Sequence, residues 1–283
     1  MIRHRFDYRA PHSIDEALEI LAHTGNRCAV LGGGTWLIPN MTFAARQPDV
    51  VLDPRHLDLA VISESNREVF VGARATYADL LQSAVASAHL PLLVAMASEI
   101  TGGISIVGQG TIGGSACYAN PSSDVPACLV ALRARLQLRS AGRTREIDAA
   151  DYFLGAFSTA RRSDEMLVGL VFPKMNPAAR SCYHKLKFST GSWPIVTAAV
   201  IAERTGEGDH FRVALGAATE APILTEALVP TNAGIDDLKA LAAKCGTVSR
   251  VAEWSDELAG PGYRRRVAHS IVLRALERCG VSR

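Results

Sequence analysis

The chain has 283 residues, 48% of them apolar and 20% charged, a balance that supports two or three ordinary hydrophobic cores and carries no signature of disorder. Lys and Arg number 30 against 28 Asp and Glu, and the formal charge of +2 argues against a nucleic-acid surface or a surface for anionic membranes. The opening MIRHRFDYRAPHS lacks the apolar core and cleavage site of a signal peptide, and the longest aliphatic stretch, 195–202, falls far short of the roughly 20 residues that span a bilayer. A globular protein without a membrane span, in the cytoplasm, is expected.

In chain order, Ser13-Ile-Asp-Glu16 is a capping box that predicts a helix to about His23. A short strand, Cys28 to Leu31, then runs into the glycines Gly32, Gly33 and Gly34, and a second strand follows at Val50 to Leu52. The same order of strand, cap and helix recurs from Val69 to Gly72, through Thr76 to Asp79, into a helical run from Leu80 to Ala86. Another helix is expected from His89 to Glu99, whereas 104–114 is too rich in glycine for a long regular element and reads as a loop that brings backbone to a ligand. A helix from Asp124 to Leu132 and strands at Leu136 to Leu138 and Met166 to Phe172 close this second unit.

The stretch 173–180, with two prolines, is the expected linker. Beyond it the pattern predicts strands near 181–188, 195–202 and 211–216, then helices near 235–245 and 263–278. Arg264, Arg265 and Arg266 at the start of the last helix sit at its wrong end for the helix dipole, which leaves a salt-bridged or interface role open, with solvated surface their expected place.

Cysteine numbers 6 and histidine 8, and both are scattered without C-x-x-C or H-x-x-x-H spacing, so no metal held by protein ligands is expected and the cysteines are expected to be reduced and mostly buried. Two glycine clusters remain as candidates for chemistry: Leu31-Gly-Gly-Gly-Thr-Trp-Leu-Ile-Pro39 and Gly110-Thr-Ile-Gly-Gly-Ser115. Glycine lets successive N–H groups converge on a phosphate, so each could be half of a phosphate cradle, or a bare turn. Neither cluster has the residues of a P-loop, and the first is not G-x-G-x-x-G.

The order and flanks of the two clusters resemble the FAD-binding medium subunit of the molybdenum hydroxylases, the family of carbon monoxide dehydrogenase and xanthine dehydrogenase. Gly32-Gly-Gly-Thr-Trp-Leu-Ile-Pro39 is similar to that family's A-G-G-x-S/T-L-I-P. Thr111-Ile-Gly-Gly-Ser-Ala-Cys-Tyr-Ala-Asn-Pro-Ser-Ser-Asp-Val-Pro126 is similar to its T-I-G-G-N-x-x-x-A-S-P-x-x-D-x-P. Phe6-Asp-Tyr-Arg-Ala-Pro11, Tyr183-His-Lys-Leu-Lys187 and Gly262-Tyr-Arg-Arg265 extend the likeness over the whole chain.

The resemblance implies an α+β protein with two small α/β FAD-binding subdomains of the vanillyl-alcohol-oxidase-like (PCMH) type, about 1–60 and 61–175, and a C-terminal α+β domain, 176–283. It also implies that Gly32, Gly33, Gly34, Thr35 and Trp36, with Thr111, Ile112, Gly113, Gly114 and Ser115, hold the FAD pyrophosphate. Asp124 stands where the family bonds a sugar-like hydroxyl of the cofactor, although an Asp before Val-Pro is also a good helix cap. Leu167 stands at an adenine contact or in the core, and Lys187 near the flavin or in solvent. Trp193 stands over the isoalloxazine ring or in core packing, and Thr101 at the flavin pocket. Several residues depart from the pattern: Trp36, Ser115, Ser192 and the Ser105-Ile-Val-Gly108 loop.

The function expected from this resemblance is electron transfer through FAD, from 2Fe-2S clusters on a small subunit to an external acceptor. Molybdopterin would sit on a large subunit, and the complex would be a dimer of heterotrimers. No residue of this chain is expected to be catalytic. A self-sufficient FAD oxidoreductase is the rival, and a scaffold that has lost its flavin the third reading.

Overall fold

The computed structural model describes residues 1–230, 234–246 and 251–280. The first part holds strand β1 (Asp7–Arg9), helix α1 (Ile14–Thr24), β2 (Cys28–Val30), α2 (Leu37–Thr42) and β3 (Val50–Leu52). The second holds β4 (Ile62–Glu64), β5 (Glu68–Gly72), α3 (Tyr77–Gln82), α4 (Ala84–His89), α5 (Pro91–Ser98), α6 (Gly103–Gln109), α7 (Ile112–Tyr118) and α8 (Val125–Ala131). It continues with β6 (Arg135–Ser140), β7 (Arg143–Asp148), α9 (Ala149–Tyr152), β8 (Phe153–Gly155), β9 (Ser158–Thr159) and β10 (Met166–Pro173). The third holds β11 (Arg180–Lys187), β12 (Pro194–Arg204), β13 (Gly208–Gly216), β14 (Ile223–Pro230), α10 (Ile235–Cys245) and α11 (Pro261–Cys279).

These strands form a parallel sheet β1-β3-β2, a sheet β4-β5-β10-β6-β7 whose strands pair antiparallel, and an antiparallel meander β11-β12-β13-β14, with β8-β9 as a short ribbon. The α+β class expected from the sequence is the one observed. No helix among the described residues is long and apolar enough to cross a membrane.

Local chemistry explains most element starts. The Ser13 hydroxyl accepts the Glu16 amide at 3.1 Å, and the Glu16 carboxylate reaches back to the His12 amide at 2.9 Å, so α1 begins where its capping signal lies. Thr76 and Asp79 cap α3 reciprocally, at 3.1 Å and 2.8 Å. Ser83 is extended and caps a fresh helix, so the single run expected over 80–86 is divided between α3 and α4.

Packing explains the uninterrupted apolar run of β10. Met166 and Val168 belong to the core under α1, whereas Leu167, Leu170 and Phe172 belong to the main core, so the strand is apolar on both faces. Helix α8 is buried at every position because it is enclosed between α5, α7, β12 and β13. Tyr183, Ala199, Ile201 and Ala214 of the third sheet enter the same core, and α10 and α11 cover that sheet's other face.

The structure departs from the sequence reading elsewhere as well. Residues 104–114 form α6 and the start of α7 rather than a loop, because Thr111 caps α7 through the Gly114 amide at 3.1 Å. The strands β4, β7 and β14 lack the apolar alternation that would announce them. The stretch 173–180 is a short turn in which Met175 is buried. Arg264 is not solvated: it is 0% exposed, whereas Arg265 and Arg266 face outward. All six cysteines are free, four of them buried.

Candidate functional site

The site begins at the C-terminal end of the parallel sheet. The Leu31 amide donates to Leu52 O at 2.8 Å, and the chain then turns through Gly32–Trp36 into α2, with Gly34 at φ 72°. The second glycine segment is strapped to the exit of β5: Tyr77 N donates to Gly110 O at 3.2 Å, Ile112 N to Ala75 O at 3.0 Å and Gly113 N to Ala73 O at 3.0 Å.

The two segments touch backbone to backbone. A Cβ at Gly33 would lie 1.7 Å from Gln109 O, and one at Gly32 would lie 2.9 Å from the Thr111 hydroxyl. Gly113 answers a different need, since a Cβ there would lie 2.4 Å from Ala73 O. Glycine is therefore required at 32 and 33 so that the segments meet, and at 113 so that α7 seats on the strand exit.

Hydrogen-bond donors are divided unequally between them. Among the described residues, the amides of Gly32, Gly33, Gly34, Thr35 and Trp36 donate to no group of the chain. The amides at the start of α7 are all engaged: Ile112 and Gly113 with the β5 exit, Gly114 with the Thr111 hydroxyl, and Ser115 with Thr111 O at 3.1 Å. Sequence reasoning expected both segments to offer amides to one anion. The structure places the unpaired donors on the first and makes the second the wall against which they lie. A half-buried run of unpaired N–H groups suits a pyrophosphate, which would replace the water those donors otherwise need. The residues present thus fit FAD.

Around this run, the Ser115 hydroxyl pairs with the Tyr77 hydroxyl, which burial pushes well above its ordinary pKa. Ile112 and Gly113 are buried beneath. Trp36, 37% exposed, leans on Tyr118 with ring centroids 4.5 Å apart. Its bulk is therefore taken up by α7 instead of closing over the glycines.

A second group forms around Asp124. Asp124 precedes α8, but its side chain makes no capping bond, which corrects the helix-cap reading. It accepts instead from the Tyr183 hydroxyl at 2.6 Å and from Lys185 Nζ at 2.7 Å, and the Lys185 and Asp124 side chains are 2% and 3% exposed. Burial pushes the Asp124 carboxyl above its ordinary range, against the pull of Lys185, Tyr183 and the more distant Lys187. Lys185 also donates to Glu99 O at 2.5 Å, tying Asp124 to the turn that carries Thr101.

Lys185 was missed by sequence reasoning. The signal was present, because alternation along a strand puts Tyr183, Lys185 and Lys187 on one face. Lys187 donates to Thr190 O at 3.2 Å in the hairpin between β11 and β12. Ser192 closes that hairpin by accepting the Phe188 and Ser189 amides, each at 3.1 Å, and leaves Trp193 47% exposed beside it. Leu167 is buried in the main core opposite Leu138. The structure thus joins Gly32–Trp36 with Thr111–Ser115, and Asp124 with the Thr101 turn and β11; it shows Leu167 in core packing.

Residues 4–175 match the family described as the FAD binding domain in molybdopterin dehydrogenase. The carbon monoxide dehydrogenase medium chain of Hydrogenophaga pseudoflava is 31% identical over 280 residues, which cover 98% of this chain and 97% of that one. The glyceraldehyde dehydrogenase medium chain of Sulfolobus acidocaldarius is 28% identical over 278 residues, covering 96% and 97%. The solved structure of carbon monoxide dehydrogenase from H. pseudoflava that lacks the Mo-pyranopterin moiety superposes with a TM-score of 0.92 at 29% identity, over 99% of this chain and 98% of that chain. The likeness therefore continues through the third sheet, past the end of the matched FAD-binding region, and the chain belongs to the FAD-binding medium subunits of the molybdopterin dehydrogenases, which are oxidoreductases of the carbon monoxide dehydrogenase and xanthine dehydrogenase type.

Proposed function

We propose that this chain is the electron-exit subunit of a cytoplasmic heterotrimer, itself paired into a dimer of heterotrimers. Electrons removed from a substrate at a molybdopterin centre on the large subunit would pass through 2Fe-2S clusters on the small subunit and leave through FAD to an external acceptor. The observation that carries the reading is the run of five unpaired amides on Gly32–Trp36, set against the 109–114 backbone. When bound, the flavin supplies the redox chemistry.

The protein's own residues hold and orient it. Gly32–Trp36 bind the pyrophosphate through N–H groups, each hydrogen bond to a charged group contributing about 1.5 to 3 kcal/mol. Thr111, Gly114 and Ser115 wall that site above the buried Ile112 and Gly113. Asp124 accepts a sugar-like hydroxyl, Thr101 and Lys187 border the ring system, Trp193 stacks on it, and Leu167 backs the adenine end. The division into 1–60, 61–175 and 176–283 follows the three sheets, with the cofactor between the first two. The self-sufficient FAD oxidoreductase is disfavoured because the chain matches medium chains over nearly their whole length.

The test is co-expression with the large- and small-subunit genes of a molybdenum hydroxylase from the same genome, followed by FAD, iron and molybdenum stoichiometry and by reduction with substrate. Flavin that is reduced only in the assembled complex supports the reading. A lone chain that oxidises small substrates at the full rate would establish the rival, and a folded chain that takes up no FAD in either form would sink both.

A further inference from the structure

The 122–124 segment is held from two directions, at Asp124 and at Ser122, and both holds come from beyond residue 175, where the matched FAD-binding region ends. One is Lys185 and Tyr183 on β11, described above. The other starts at Arg264, whose guanidinium is fully buried near the start of α11. Arg264 Nε donates to Ala259 O at 3.1 Å, and one terminal nitrogen donates to Ile195 O at 2.7 Å and Ala217 O at 2.8 Å. The other terminal nitrogen pairs with Asp256 Oδ1.

Asp256 passes the constraint onward. Its Oδ1 also accepts the Leu258 and Ala259 amides, at 2.9 Å and 3.2 Å, so its orientation is fixed by the loop as well as by Arg264. Its Oδ2 accepts from the Ser122 hydroxyl at 2.8 Å and from Trp254 Nε1 at 3.1 Å, and Trp254 Nε1 also donates to the Ser122 oxygen at 2.9 Å. Ser122 is buried, lies two positions before Asp124, and donates its amide to the Asn120 side chain at 3.0 Å.

Burial works against an ionised Asp256, but the Ser122 hydroxyl, the Leu258 amide and Arg264 together outweigh it and hold its carboxyl below the usual range. A guanidinium at a helix N-terminus is opposed by the helix dipole. Asp256 and three backbone carbonyls offset that opposition, so the cation stays charged and aimed. A merely stabilising core at this point would need no polar chain; a polar chain ending on Ser122 transmits position.

We propose that Arg264 is a positioning residue for the bound cofactor, acting through Asp256 and Ser122 to set the 120–124 segment that presents Asp124. The third part of the chain thereby completes a site built on the first two. This rests on the reading that Asp124 touches FAD, so the experiment includes Asp124 itself.

FAD affinity would be measured on the full chain by flavin fluorescence, together with visible circular dichroism of the bound flavin and thermal unfolding of the flavin-free chain. The variants are Ser122→Ala, Trp254→Phe, which keeps a ring against Phe157 while removing the N–H, and Asp124→Asn. The expected result is a weakening of FAD binding by about tenfold for Ser122→Ala, the value of one hydrogen bond to a charged group, with an altered flavin dichroic band and a nearly unchanged melting temperature. Trp254→Phe should move the dichroic band in the same direction. If Asp124→Asn weakens FAD while folded Ser122→Ala and Trp254→Phe bind it as the parent does, the positioning role is wrong and the site reading stands. If Asp124→Asn leaves affinity and spectrum unchanged, the site reading falls and the positioning role with it.

Discussion

Lys185 and Asp124 meet at 2.7 Å with both side chains almost wholly out of water, and the same ammonium holds Glu99 O. A buried pair of this kind contributes little net stability, but removing one partner leaves an uncompensated charge. Lys185→Met should therefore destabilise the fold by about 3 to 5 kcal/mol. Adding Asp124→Asn should recover a large part of that loss, which chemical denaturation of the four members of the cycle would show. Equal stability of Lys185→Met and the parent would mean that Asp124 is held neutral by burial alone.

Gly33 and Gly108 make a matched pair of substitutions. A methyl at Gly33 would run into Gln109 O, whereas one at Gly108, inside α6, meets nothing within 4 Å. Gly33→Ala should push the two glycine segments apart and abolish flavin uptake. Gly108→Ala should keep it and stabilise the chain by about 0.5 to 1 kcal/mol through helix propensity. Absorbance of the purified variants near the flavin bands separates the two outcomes.

Arg264 and Arg265 are neighbours with opposite fates. Arg264→Met would remove the cation paired with Asp256 and the side-chain donor to Ile195 O, Ala217 O and Ala259 O, and should destabilise by about 3 to 5 kcal/mol. Arg265 pairs with Glu253 at 2.7 Å on the surface, and Arg265→Ala should shift stability by less than about 1 kcal/mol. Urea midpoints of the two variants provide the comparison.

Glu165 sets an acid limb. Burial opposes its ionisation, but Arg145, bonded to both carboxylate oxygens at 2.6 Å and 2.8 Å, and the Arg162 amide at 2.7 Å hold its pKa below the usual glutamate value. A carboxyl with a depressed folded-state pKa stabilises the fold above its unfolded value, about 4.3, and that stability is lost as pH falls through the folded value. Glu165→Gln should lower stability at neutral pH and flatten the decline below about pH 4.3. A parallel pair of pH–stability curves would show Glu165 to be uninvolved.

How far the sequence foretold the molecule depends on where each residue finds its partners. Helices α1 and α3 begin at their own capping residues, and those signals are local. The glycine-rich 104–114 segment reads as a loop because glycine disfavours helices, yet contacts with Ala73, Ala75 and Tyr77 and the Thr111 cap fold it into two short ones. The strands β7 and β14 are edge strands without an apolar period. The contact of Gly32 and Gly33 with 109–111 was foreshadowed by the two motifs together, but the one-sided placement of free amides depends on strand β5, which neither motif mentions. Arg264 was misplaced because three of its four acceptors are backbone carbonyls, at 195, 217 and 259, and a carbonyl leaves no mark in a sequence.

The core shared by α8 and the inner face of the third sheet bears on how such chains can be recombined. A hybrid of two medium chains joined in the turn after β10 would press Leu129 and Cys128 of one parent against Ala199, Ile201 and Ala214 of the other. Native-like density leaves little room for mismatched shapes there. The short turn is an inviting splice point on paper, but the second and third parts exchange only together.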